Sequence, residues 1–296
     1  MARSIGLRHT PRMIELHFAG YQPARSVHTQ GLHALRENVT RHSGNALAIK
    51  VTDSVVSLGR KAADLLSMVE SGELDGCYFA SSYLAARVPT LGAFDQPFQA
   101  GAREAVFESL DTALAEQVAA ATGYRVLGWW DNGIRHISNA VRPIRSPADC
   151  VGLRLRTLDN AQHQAAFRRC GFLPMFIDPA DLARAVADRT VDAQENPLTN
   201  MVNFGIQAHH KHVSLTGHLL GIALLLVNQA RYDALAPPLR MALDEAAHES
   251  ETTQRALAIA EDAACLRLLA EAGVALLGPE QIDLAAFRAA AAERPA

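Results

Sequence analysis

No stretch of the 296-residue chain holds the roughly 18 consecutive apolar residues of a membrane-spanning helix; the best candidate, Leu219–Val227, is too short. A helical membrane protein is not expected. Charge of one sign is also lacking. With 28 basic and 31 acidic side chains the formal charge is -3, which leaves no net field to hold a polyanion, so nucleic acid is not an expected partner. Cysteine is scarce: Cys77, Cys150, Cys170 and Cys265 lie far apart with no C-x-x-C pair, which fits neither a zinc site nor a dense disulfide framework. They read as buried free thiols. The first eleven residues carry Arg3, Arg8 and His9 but no apolar block of the length of a secretory signal, so nothing exports the chain as written. Internal repeats and Pro/Ser/Gly linkers are missing too.

What is present is the material of a packed protein. Hydrophobic residues make up 49% and charged residues 20%, far from the composition of disorder, and the length allows two domains of about 150 residues. Met13–Ala19 alternates apolar and polar residues as a strand does. Val27–His42 places Leu32, Leu35 and Val39 on one helical face and stops at Ser43-Gly44-Asn45. A strand at Leu47–Val51, a helix at Lys61–Glu70 and an apolar strand at Gly76–Ala80 follow, an order that indicates parallel β-α-β units. Ser146-Pro-Ala-Asp149 and Asp178-Pro-Ala-Asp181 each offer a cap, a proline at the first helical position and an acid at the third, so each is expected to open a helix. Between them, G-L-R-L-R-T at Gly152–Thr157 puts Leu153 and Leu155 on one face of a strand and Arg154 and Arg156 on the other. Val191–Asn196 reads as a further strand or strand-like turn. Val213–Asn228 reads as strand, turn, strand around Gly217 and Gly221. Leu239–Glu271 has no proline or glycine and predicts one long helix or two nearly continuous ones, followed by a strand at Val274–Leu277 and a helix at Asp283–Glu293.

Few motifs carry chemistry. His209-His210-Lys211-His212 has neither the spacing nor a carboxylate partner of a metal site, and a surface or loop role is expected. G-x-S-x-G, a P-loop and G-x-G-x-x-G are all absent. Arg135, after the predicted turn Asp131-Asn132-Gly133, is either a salt-bridge residue or a carboxylate clamp, and spacing alone favours the former. Gln194-Glu195-Asn196-Pro197 fits a loop at a strand end or a capping turn.

Taken together, G-W-W-D-N-G-I-R at Gly128–Arg135, S-P-A-D-C-V-G-L-R-L-R at Ser146–Arg156 and V-D-A-Q-E-N-P at Val191–Pro197 stand in the order seen in the DctP-like substrate-binding proteins of tripartite ATP-independent periplasmic (TRAP) transporters. S-L-G at Ser57–Gly59, E-S-G-E-L-D before Gly76, S-S-Y-L-A at Ser81–Ala85 and L-T-G-H at Leu215–His218 add to the resemblance, which runs from about Met13 to Gly278. It implies an α/β, two-domain, periplasmic-binding-protein-like fold with a mixed sheet in each domain, a hinge between them and a long helix spanning both. The expected division is 13–133 plus about 222–258 for domain I and 134–221 plus about 259–296 for domain II, with the ligand cleft between them. The implied function is that of a periplasmic, monomeric binding protein that delivers a small organic acid to membrane permease subunits. No catalysis, cofactor or metal is expected. The missing leader then implies a beginning that was trimmed or assigned downstream of the true one.

By the same resemblance Arg156 makes a bidentate salt bridge to the ligand carboxylate, Arg135 lends a second contact and Asn196 hydrogen-bonds the same group, while Arg154 takes the place of a surface basic residue. Tyr21, Ser81, Ser82, Tyr83, Trp130 and His218 complete the expected pocket. Three departures bear on the acid. Ser81 stands where the sialic-acid branch has an acidic residue, which speaks against sialate. Pro179, with Phe176 and Ile177 upstream, stands where that branch has an aromatic ring. Thr216-Gly217-His218 replaces T-N-H, removing a polar contact or making room. The ligand expected is a mono- or dicarboxylate, including aromatic and sugar acids. Rival readings are a ligand sensor serving a signalling partner and a metal-assisted hydrolase built on the histidines near His209.

Overall fold

The computed structural model describes residues 13–292 except 100 and 111, so the N-terminal segment with Arg3, Arg8 and His9 lies outside the described residues. Among the described residues there are nine strands: β1 (Ile14–Ala19), β2 (Leu47–Thr52), β3 (Gly76–Ala80), β4 (Tyr124–Asn139), β5 (Arg154–Thr157), β6 (Leu173–Phe176), β7 (Ala193–Pro197), β8 (His212–Asn228) and β9 (Ala275–Leu277). Among the described residues the helices are α1 (Val27–His42), α2 (Asp64–Ser71), α3 (Arg103–Glu108), α4 (Thr112–Thr122), α5 (Ala161–Arg169), α6 (Pro179–Ala187), α7 (Leu198–Asn203), α8 (Gln229–Asp233), α9 (Pro237–Glu271) and α10 (Leu284–Ala291).

Hydrogen bonding links the strands in the order β2-β1-β3-β8-β4-β7-β5-β6, with β9 beside β8. The strands thus form one continuous mixed sheet, carried from one lobe into the other by the antiparallel partners β4 and β8. Strands β1, β2 and β3 pair in parallel on one side, and β5, β6 and β7 in parallel on the other. Helix α9, 35 residues and about 50 Å long, packs on α1 of the first lobe and α7 of the second. One buried apolar cluster gathers side chains of β1–β3, α1 and the near ends of β4 and β8; two others gather those of β5–β7, α5, α6 and α10.

Several expectations give way here. Asp131-Asn132-Gly133 makes no reversal: β4 passes straight through as a bulge, with a register shift between Asp131 and Ile134 against β8. Gly133 sits at φ 82°, and a Cβ there would lie 2.7 Å from Pro197 Cβ, so the position needs glycine for both reasons. Likewise Val213–Asn228 is one strand and not two, because Gly217, at φ 53°, absorbs the irregularity without turning the chain. Ser146-Pro-Ala-Asp149 opens only the single 3-10 turn Pro147–Cys150, since the chain must enter β5 four residues later. Phe98 packs with Phe167 of α5 and stacks on Phe287 of α10, 4.9 Å between ring centres.

The four cysteines are free and buried, as expected. Burial pushes the Cys77 and Cys265 thiols up to about 12. No helix of the described residues is long and apolar enough to cross a membrane.

Candidate functional site

The strand alternation at Gly152–Thr157 holds for the leucines, both buried, but the two arginines on the other face part company. Arg154, at the start of β5, reaches the edge and pairs with Asp192 at 2.8 Å. Arg156, two residues further in, is only 1% exposed. Its Nε donates to the Ile177 carbonyl at 2.9 Å, while Nη2 is buried with no partner in the protein. A guanidinium cannot shed its charge, so a buried N–H of this kind calls for an acceptor.

Arg156 lines a tight cavity of ≈ 20 Å³ between the lobes, together with Tyr21, Tyr83, Asn132, Arg135 and Asn196. Ala80, Leu158, Pro179, Asn200 and Phe204 complete the wall. Two other lining residues carry a buried polar atom without a partner: the Tyr83 hydroxyl and Asn132 Oδ1. Burial raises both the Tyr21 and the Tyr83 phenol, which keeps them neutral donors.

Arg135 is differently placed. Its Nε donates to Glu195 Oε2 at 2.6 Å and its Nη2 to Glu195 Oε1 at 2.9 Å, in a pair that is almost wholly buried. Thr157 Oγ1 donates to Glu195 Oε1 at 2.8 Å, and His218 Nε2 lies 3.2 Å from Oε2. Burial by itself would raise the Glu195 carboxyl, yet Arg135, His163 and His218 together hold it well below the usual range. Because an ionised carboxylate only accepts, His218 carries its proton on Nε2, and Nδ1 takes the Thr216 hydroxyl at 2.8 Å. Asn196 is also engaged within the protein: Nδ2 donates to Gln194 Oε1 at 2.5 Å.

Of the nine expected site residues, Arg156, Arg135, Asn196, Tyr21 and Tyr83 therefore meet around one cavity. Ser82 instead lines a second, more open chamber shared with Asn160 and Gln162 of the other lobe, its hydroxyl buried and unpartnered. Ser81, Trp130 and His218 are not brought to the cavity wall. Trp130 is part of the first lobe's core, stacked on Tyr78 at 5.7 Å, and His218 stands behind Glu195. Sequence reasoning missed Asn132, Asn200 and Phe204 on the wall and the role of Glu195; the adjacency of Glu195 to Asn196 was the only signal for it. His210 lies in the loop before β8, one of the two expected placements, and is buried, with its Nδ1 2.9 Å from Ser138 Oγ.

This geometry has relatives. A family model described as DctP, bacterial extracellular solute-binding protein, family 7, matches residues 18–294. The chain belongs to the DctP family. The 2,3-diketo-L-gulonate-binding periplasmic protein of Escherichia coli is 30% identical over 78% of this chain and 70% of its own length. Among solved structures, a TRAP periplasmic solute-binding protein from Polaromonas, bound to D-erythronate, superposes with TM-score 0.88 at 26% identity over 94% of this chain and 92% of that one. One from Bordetella gives TM-score 0.87 at 27% identity over the same shares. As a DctP-family protein the chain is an extracytoplasmic solute-binding protein with the two-lobed α/β architecture described above.

The buried histidines of this DctP-family chain predict how its stability responds to acid. Burial lowers His28, His210 and His218 to about 4, so on unfolding each takes up a proton between about pH 6.5 and 4 and favours the unfolded chain there. Asp95 and Asp131, raised to about 6 by burial, act in the opposite sense as pH rises from about 4 to 6. Burial lowers His136 further, to about 3, so four histidines outweigh the two carboxyls and stability falls on acidification below about pH 6.5. The urea midpoint is expected to be lower at pH 5 than at pH 7.5; an equal or higher midpoint would contradict the assignment.

Proposed function

We propose that the chain captures a small organic monocarboxylate with neutral hydroxyl groups between its lobes and delivers it, chemically unchanged, to the membrane permease subunits of a TRAP transporter. The observation that carries this reading is the buried Arg156 Nη2, with no partner, in a cavity between the lobes. A planar guanidinium offers parallel donors to a carboxylate, and burial strengthens the pair. The wall holds two cations, Arg156 and Arg135, and the second is already neutralised by Glu195. That count supports one carboxylate on the ligand. The remaining polar groups of the wall, Tyr21, Tyr83, Asn132, Asn196 and Asn200, are neutral and suit hydroxyls. Ser82 and its chamber give a longer polyol tail a place to extend, and the exposed Asp159 on that chamber disfavours a second carboxylate there.

The lobes we propose follow the division 13–133 plus 222–258 and 134–221 plus 259–296, with closure over the ligand about β4, β8 and α9. Relatives with D-erythronate and β-D-glucuronate bound support a hydroxylated monocarboxylate as ligand class. A thermal-shift comparison of D-erythronate, D-glucuronate and succinate tests the choice, because a ligand that binds only the native state raises the melting temperature. One of the two sugar acids is expected to stabilise at concentrations at least about tenfold lower than succinate. Stronger stabilisation by succinate would overturn the single-carboxylate reading.

A further inference from the structure

We infer that Asp178 is a positioning residue that latches one lobe to the other as the acid seats on Arg156. The inference rests on the reading of Arg156 as the anchor. Asp178 precedes α6 in the second lobe and caps it, accepting the Ala180 N–H at 2.9 Å. The same carboxylate reaches across to the first lobe. There it accepts the N–H groups of Ala62 and Ala63, each at 3.2 Å, at the entrance to α2. One buried carboxylate thus caps the starts of two helices that belong to different lobes. A second link runs parallel to it, from Lys61 to Asp181 in the first turn of α6.

The latch is joined to the anchor by the chain itself. Arg156 Nε donates to the carbonyl of Ile177, the residue immediately before Asp178, and Pro179, immediately after, is part of the cavity wall. A displacement of Arg156 therefore moves the segment that carries the latch, and breaking the latch loosens the carbonyl that aims Arg156. Proline at 179 has a fixed φ and no N–H, so the hinge of this segment is stiff and transmits such a shift. The two contributions differ in kind. Amide-to-carboxylate bonds at a buried group resist salt, whereas the exposed Lys61–Asp181 pair is screened.

The test separates latch from cap. Asp178→Ser keeps a good helix cap but has a single oxygen too short to span to Ala62 and Ala63. Spin labels on Leu58→Cys and Val151→Cys, exposed on opposite lobes, report closure while the four native thiols stay buried. With no acid added, Asp178→Ser is expected to lose at least two thirds of the short-distance population of the parent while its melting temperature is kept. D-erythronate dissociation should become roughly ten- to a hundredfold faster, the scale of one charge-assisted hydrogen bond. Asp178→Asn, which keeps cap and size but turns one acceptor into a donor, should shift both readouts the same way and serves if the serine variant fails to fold. Lys61→Ala should change dissociation less than about threefold. An unchanged distance distribution in a folded Asp178→Ser or Asp178→Asn protein overturns the latch. If D-erythronate does not bind the parent, the proposed ligand fails, and the label distances still decide the latch.

Discussion

Arg156→Ala is expected to weaken acid binding by about 2–5 kcal/mol, roughly thirtyfold to several thousandfold, as measured by calorimetry with the sugar acid that most stabilises the parent. This is the scale for truncating one partner of a buried, hydrogen-bonded charge pair. Two features of the site put the effect at this residue. The guanidinium is buried and held at one end by the Ile177 carbonyl, so it is aimed before the ligand arrives. Its free Nη2 has no protein acceptor to fall back on. The fold should survive, because the side chain pairs with no carboxylate whose charge would be stranded. Arg154→Ala supplies the control: its guanidinium is committed to Asp192 and to the Arg189 carbonyl at the lobe edge, and binding should change less than about twofold. Equal losses at both positions, or none at Arg156, would mean the anchor has been misplaced.

The second large effect is expected on stability. Glu195→Ala leaves Arg135 charged, buried and without its bidentate partner, a change that costs about 3–5 kcal/mol where buried pairs are broken. A fall in unfolding free energy of that size, read from urea denaturation, is expected for the single variant. Replacing both partners, with Arg135→Met and Glu195→Leu, should recover most of the loss, since a buried ion pair exchanged for apolar groups is close to neutral. A single variant as stable as the parent would show that Glu195 does not compensate Arg135. The pair also has a sign in pH. The Glu195 carboxyl is held below its unfolded value, so its contribution is complete above the ordinary carboxyl range and is lost as pH falls through the lowered value.

Much of this architecture is written in local pattern. The strand and helix order through Ala80, the cap at Asp178, and the uninterrupted α9 follow from periodicity and cap chemistry, which act over a few residues. The resemblance in motif order likewise carried the family and pointed to Arg156 as the proposed anchor. Other features could not be read this way. Asp131-Asn132-Gly133 has the composition of a turn, but Pro197 of β7 and the length of β8 hold the chain straight and leave it a bulge. Trp130 and Tyr21 are both aromatic residues near cleft motifs and both belong to the first lobe's core, yet only Tyr21 also reaches the cavity wall.

The sequence by itself determined most of the elements and the two-lobed class, and pointed to Arg156 as the proposed anchor, because period, capping and motif order are properties of neighbours along the chain. Only the tertiary structure decided which arginine stays free. Arg135 and Arg156 are alike in sequence, but Glu195, sixty residues after the first, folds against one and leaves the other unpaired. The same holds for Asp178, whose role depends on amides 115 and 116 residues away. Pairing across such separations is set by how two lobes pack and not by local spacing, and there the chemistry of the site was decided.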